Sequence, residues 1–251
     1  MIPAKFNLDG KVAIVVGDGQ NLQAAMASYL LEAGASVAIV DESDDRLAKS
    51  TASIQSQNER LMALRSNLTD SREIDDTINK IIAKWGKIDI LVNNLAQRFA
   101  KPIADTTIEE WNGFMQFNLT GMFLWCKEAG KHMIAGKRGS IVSITSILAE
   151  RGLTNSTAFC TVSGGVSQFT KSLALEWASK NVRVNAIGLG WLQQPGRETD
   201  KSEARLQRHI TLGRFCKPED VAVMLIYLAS PASSYVTGQT YYISGGVMSH
   251  G

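Results

Sequence analysis

Lys11-Val-Ala-Ile-Val-Val-Gly-Asp-Gly-Gln-Asn-Leu-Gln23 joins a short β-branched run to a polar turn. Behind it, Leu22 to Ala33 has the length and content of a helix, closed by Gly34. Val37-Ala-Ile-Val40 is then a second apolar strand, ending on Asp41. Runs bare of polar residues suit strands buried on both faces. The alternation continues outward from this unit. Strands are predicted near Leu61–Leu64, at Ile88–Val92, Ser140–Thr145, Val182–Ile187 and Thr240–Ile243, with a helix through Ile74–Trp85. Strand–helix alternation of this kind predicts a single doubly wound parallel sheet with helices on both faces, an α/β fold of Rossmann type.

Composition agrees and narrows the function. At 251 residues the chain has room for one well-buried domain, taken as 1–251 with no linker or repeat. A formal charge of +2, with its cations scattered, gives no basic face for nucleic acid. No segment approaches the roughly eighteen apolar residues of a membrane span, and the start has no signal-type apolar run. Cys126, Cys160 and Cys216 are odd in number and irregular in spacing, which argues against both a disulfide framework and a zinc site. The expectation is a cytoplasmic protein without a metal. Two helices carry apolar residues beyond one stripe: Trp111, Met115, Leu119, Met122, Cys126 and Met133 in one, with Phe114, Phe117 and Leu124 on another side, and Phe159 to Trp177 in the other. Such helices are covered by more than their own sheet, so regions 107–136 and 155–180 are expected to form a subunit interface.

Six short segments, in order, carry a resemblance. They are Val16 to Gln23, Asp89-Ile-Leu-Val-Asn93-Asn94-Leu95-Ala96, Asn118-Leu-Thr-Gly121, Gly139 to Ser146, Gly213-Arg214 with Pro218 to Ala222, and Val236-Thr-Gly-Gln239 with Gly245-Gly246. Together they make the chain resemble the short-chain dehydrogenase/reductase family over nearly its whole length. The resemblance implies NAD-linked oxidation of a CH–OH group, with Asn118 and Ser146 in two catalytic positions.

The other two positions have changed. Family members place a tyrosine thirteen residues after the serine and a lysine four further on; here those positions hold Phe159 and Ser163. Phenylalanine has no proton to exchange, and serine brings no charge to shift a neighbour's pKa. A positioned acid–base group is worth about 10²–10⁴ in rate. The tyrosines are Tyr29, Tyr227, Tyr235, Tyr241 and Tyr242, so no shift of register restores the pair. The enoyl reductase spacing, with tyrosine seven residues before lysine, would require one at Gly164 for Lys171. Phe159 then reads as a packing ring, and Cys160 as a core thiol.

The nucleotide loop departs as well. Gly17 keeps the first glycine, but Asn21 and Gln23 stand at the second and third. Gln23 is expected to fill the space where helix, strand and pyrophosphate meet. Starting the motif from Gly19 fails at Leu22. Asn67 replaces the adenine-binding acid, and Leu189-Gly190 the usual Pro-Gly. Asp41 has two open readings: a ribose-binding acid that would favour NAD over NADP, or an acid at a helix start with Ser43 as cap. Asn93, Asn94 and Ser146 are expected to fix loops over the sheet edge. Between Gly190 and Phe215, Arg197, Lys201, Arg205, Arg208 and His209 form either a solvated face or a clasp for an anionic substrate such as a CoA thioester.

These losses fall on the site and spare the fold. The chain is therefore expected to be a non-catalytic subunit, binding no cofactor tightly, of a hetero-oligomer. Its homologous partner chain would hold NAD and oxidise an aryl-substituted hydroxyacyl-CoA of aromatic hydrocarbon degradation. A nucleotide-binding sensor, or an enzyme of another reaction type using Ser146 and Asn118, stay open beside it.

Overall fold

The computed structural model describes residues 4–17, 20–52, 54, 59–95, 97–193 and 206–249. Seven parallel strands form one sheet in the order β3-β2-β1-β4-β5-β6-β7. They are β1 (Val12–Gly17), β2 (Ser36–Asp41), β3 (Leu61–Arg65), β4 (Ile90–Asn94), β5 (Gly139–Ser146), β6 (Val182–Leu189) and β7 (Thr240–Ile243). Every predicted strand is present, and β5 and β6 run on past their predicted ends to Ser146 and Leu189.

Helices cover both faces. Helices α1 (Gln20–Glu32) and α2 (Asp44–Ala52) lie on one side with α7 (Pro218–Ala229), over Ala13, Val15, Val37, Ile39 and Val92. On the other side lie α3 (Ser71–Trp85), α5 (Gly121–Ala135) and α6 (Thr157–Trp177), over Val12, Ile14, Val16, Leu91 and Ile141. Successive strand residues point to opposite faces, so these apolar runs feed both layers at once. The α3 start illustrates local control: Asp70 accepts hydrogen bonds from the Arg72 and Glu73 N–H groups, and Gly86 closes the helix at φ 77°.

The strand order reverses between β1 and β4, which opens a crevice at their carboxyl ends. Gly17 is required there: a Cβ on it would sit 2.8 Å from the Asn94 carbonyl oxygen. Helix α4 (Ile108–Met115) runs into α5 through a π-helical turn, Gln116–Thr120, a feature sequence periodicity does not reveal.

The surplus apolar residues of the two long helical regions divide between the core and the surface. Most of those residues are covered within the chain: Met122, Trp125, Cys126 and Met133 are buried, and Leu124, Phe159, Phe169 and Trp177 lie half-buried on the same core. Gly130 makes this possible, because the Trp177 ring lies where its Cβ would be, 2.3 Å away. What stands out to solvent is smaller: Ile108 at 63%, Phe123 at 45% and Leu175 at 83% exposure. Among the described residues no helix is long and apolar enough to cross a membrane, and no cluster could hold a metal ion.

Candidate functional site

A cavity of about 440 Å³ opens at the carboxyl ends of the central strands. Its walls come from Asn21 and Leu22 at the start of α1, Asn94 at the end of β4, and Thr145 and Ser146 at the end of β5. Phe159 from α6 and Leu189 to Gln193 beyond β6 complete it. The fold brings Asn21, Ser146 and Phe159 together on one cavity.

Ser146 is 9% exposed. Its Oγ accepts a hydrogen bond from the Leu148 N–H at 3.2 Å and donates to the Leu189 carbonyl at 3.4 Å. The hydroxyl thus ties the turn after β5 to β6. Phe159 turns its ring to Phe114, 6.5 Å between centroids, and Phe114 meets Phe99 at 5.3 Å. An aromatic wall occupies the place of a proton donor. Ser163 lies one turn further on, 2% exposed, with its Oγ donating to the Phe159 carbonyl at 2.7 Å. Its hydroxyl is spent on its own helix.

Asn118 sits in the π-helical turn, fully buried and outside the cavity lining. Its Nδ2 donates to the Phe114 carbonyl at 2.8 Å, and its Oδ1 accepts the Gln97 N–H at 3.2 Å. That clamp holds the segment carrying Arg98 and Phe99, two wall residues which sequence reasoning missed. Their position directly beyond the strand bordering the crevice was the available signal.

No tyrosine takes over the missing role, since none of the five lines the cavity. Tyr242 donates to Glu150 at 3.0 Å, and burial together with that carboxylate pushes its hydroxyl up to about 12. Among the described residues the lining holds no lysine, histidine or carboxylate, and Arg98 is its one ionisable side chain. Cys160 is outside the lining as well, its Sγ 3.7 Å from the Arg151 carbonyl. Buried Cys126 is pushed up to about 12 by desolvation, which leaves no thiolate for chemistry at neutral pH.

At the nucleotide positions Gln23 and Asn93 point elsewhere than expected. Gln23 does not project into the pyrophosphate space. It is fully buried under α1, where its Nε2 donates to the Val40 carbonyl at 3.0 Å and the Val15 carbonyl at 3.3 Å. Packing drives this, because the gap between β1, β2 and α1 that a glycine would leave is filled by the amide. Asn93 does not fix a loop: its Nδ2 points inward to Ser143 Oγ at 3.4 Å and Cys126 Sγ at 3.3 Å. Asn67 is exposed in a turn, its Oδ1 accepting from the Thr69 N–H and hydroxyl at 3.0 and 2.9 Å.

Asp41 resolves toward its helix-start reading. It is fully buried, and its Oδ1 accepts from the Ser43 N–H at 2.8 Å and Arg46 Nε at 2.8 Å, while Arg46 Nη2 lies 2.7 Å away. Its Oδ2 is buried without a hydrogen bond. A carboxylate enclosed in this way does not present itself to a ribose, so the adenosine half of a dinucleotide does not fit these residues as they stand. Residues 18 and 19 of the glycine loop lie outside the described residues, as do Arg197, Lys201 and Arg205 of the cationic segment; Arg208 and His209 are exposed.

The sheet order, the crevice and the wall residues define the chain as a nucleotide-type doubly wound α/β protein. Comparison with known proteins goes further. The family model described as enoyl-(acyl carrier protein) reductase matches residues 19–248. A 3-oxoacyl-[acyl-carrier-protein] reductase FabG of Thermotoga maritima is 32% identical over 245 residues, covering 97% of this chain and all of the relative. An NAD-dependent glycerol dehydrogenase of Listeria innocua is 34% identical over 251 residues, covering 96% and 95%. Among solved structures, a gluconate 5-dehydrogenase from Burkholderia cenocepacia, in complex with NADP and tartrate, superposes with TM-score 0.91 at 27% identity, covering 98% of each chain. The chain belongs to the short-chain dehydrogenase/reductase family of oxidoreductases.

Proposed function

We propose that this chain is a non-catalytic subunit that works beside a homologous, catalytically complete dehydrogenase chain. One observation carries the reading: among the described residues, the cavity at the family's reacting position has no side chain able to exchange a proton near neutral pH. Phe159 and Ser163 are built into packing and helix hydrogen bonds, and Asn118 into a clamp. The relatives' names describe active enzymes, and this chain departs from the family pattern at the residues that exchange the proton.

In this reading NAD is held by the partner, and this chain binds no dinucleotide tightly, in keeping with the Asp41–Arg46 pair. The contact would run through α5 and α6, within 107–136 and 155–180, centred on Phe123 and Leu175. The reading extends to a substrate: the assembly is proposed to be an NAD-dependent 2-[hydroxy(phenyl)methyl]succinyl-CoA dehydrogenase of anaerobic toluene degradation, whose silent chain this sequence resembles. The partner would oxidise that thioester to benzoylsuccinyl-CoA.

Mild affinity purification of the tagged chain from its own host tests the proposal, with native mass and dehydrogenase activity read on one sample. Recovery with a second family member bearing the tyrosine and lysine supports it. A homo-oligomer that binds stoichiometric NAD without turnover replaces it with a sensor. Turnover by the single chain that Ser146→Ala abolishes replaces it with an enzyme of another type.

A further inference from the structure

At the opposite, amino-terminal edge of the sheet, a second concavity of about 190 Å³ lies between the starts of β1, β4 and β5 and the end of α7. At about 30 Å³ per water it has room for roughly six waters. Three cations line it, Lys11, Arg138 and Arg183, against one carboxylate, Asp89. Lys87 adds a fourth cation beside that carboxylate, its Nζ 3.3 Å from Asp89 Oδ2.

The charges do not cancel and the donors are not used up. Lys11 Nζ is 3.8 Å and Arg138 Nε 3.0 Å from Asp89 Oδ1, yet that oxygen receives no hydrogen bond. A single buried carboxylate is shared among three cations. Arg183 is half-buried and has only neutral partners among the described residues: Ser233 Oγ at 2.8 Å, and the Ser230 and Val236 carbonyls at 3.3 and 3.5 Å. Burial lowers its pKa, the expected cost of desolvating a cation without a counter-charge. An excess of convergent, partly desolvated cations in a concave site favours an anion, above all one with several acceptor oxygens.

We infer that this concavity binds a phosphate group, free or as a small phosphomonoester, between Arg138, Arg183 and Lys11. The inference is independent of the proposed function, because the site lies at the far end of the strands from the cavity beside Ser146 and Phe159. The purified full chain is titrated calorimetrically at low ionic strength with inorganic phosphate and, separately, with glycerol 3-phosphate.

Saturable binding of one equivalent is expected, weakened by about tenfold or more in Arg138→Gln and in Arg183→Gln, the loss of one charge-assisted contact. Lys49→Gln, a surface cation on α2, leaves the affinity unchanged. Tighter binding of the ester identifies a phosphorylated metabolite as the source, and tighter binding of phosphate the free ion. Arg183 also holds structural hydrogen bonds, so Arg138→Gln, whose side chain is 48% exposed, decides the matter if Arg183→Gln fails to fold. Absence of saturation, affinity unchanged in Arg138→Gln, or equal weakening in Lys49→Gln would overturn the inference.

Discussion

Replacing Gln23 tests the account of the altered glycine loop. Its amide makes two hydrogen bonds to strand carbonyls, at 3.0 and 3.3 Å, each worth about 1 kcal/mol net. Its Oε1 is buried without a partner, a cost of about 1–3 kcal/mol that any apolar replacement removes. In Gln23→Met these effects oppose at nearly constant volume, so stability stays within about 1 kcal/mol of wild type. In Gln23→Ala the same polar balance is joined by a cavity between α1, β1 and β2, and a net loss of about 2–3 kcal/mol follows. For a chain of this size that is about 4–12 °C in Tm, at roughly 2–4 °C per kcal/mol. Urea unfolding followed by circular dichroism reads both variants, and calorimetric titration with NAD reads the second consequence. Neither variant gains dinucleotide affinity, because Asp41 remains enclosed by Arg46 and the Ser43 N–H. Gln23→Ala as stable as wild type, or stoichiometric NAD binding by that variant, would refute the reasoning.

Restoring the family pair with Phe159→Tyr and Ser163→Lys yields no NAD-dependent turnover by reduced-nicotinamide absorbance, since the adenosine positions are still altered. The same variant is destabilised by several kcal/mol in urea melts, because the new lysine lies at a 2% exposed position with no carboxylate in the cavity wall among the described residues. Gly130→Ala costs about 1–3 kcal/mol through overpacking against Trp177, less the roughly 1 kcal/mol of helix propensity it gains, whereas Gly113→Ala, with open space at its Cβ, is neutral or stabilising in the same melts. Hydrogen bonds from Arg214 at 2.6 and 3.0 Å hold the Asp220 carboxyl below the usual carboxylate range. The folded pKa lies below the unfolded one, so this stabilisation is fully present above about pH 4 and lost as pH falls through the folded value, by less than about 1 kcal/mol for so accessible a pair. Acid titration of stability in Asp220→Asn lacks that component.

The strands were legible as short β-branched runs between helical stretches, and the parallel, doubly wound class followed from that alternation, whereas the order of strands in the sheet came from the structure. The empty tyrosine and lysine positions were legible as well, because their chemistry depends on residue type. Side-chain direction was not. Gln23 could face the cleft or the core, and two carbonyls under α1 drew it inward. Asp41 could face a ribose or a helix start, and Arg46, five residues on, decided it. The surplus apolar residues of α5 and α6 were legible too, but periodicity cannot show which of them the chain covers itself, as Trp177 does where it packs on Gly130. Asn118 stood in the expected place while its amide had become a clamp on the Arg98 segment, in a π-helical turn without a sequence signature.

The most direct measurement is dehydrogenase turnover by the assembly recovered with this chain, comparing removal of the serine hydroxyl here with removal of the tyrosine hydroxyl in the partner. The account predicts that Ser146→Ala leaves kcat of the mixture within about twofold of wild type, whereas loss of the partner's catalytic tyrosine lowers it by about 10²–10⁴. Activity of this chain alone, or a mixture silenced by Ser146→Ala with the assembly intact, would contradict it.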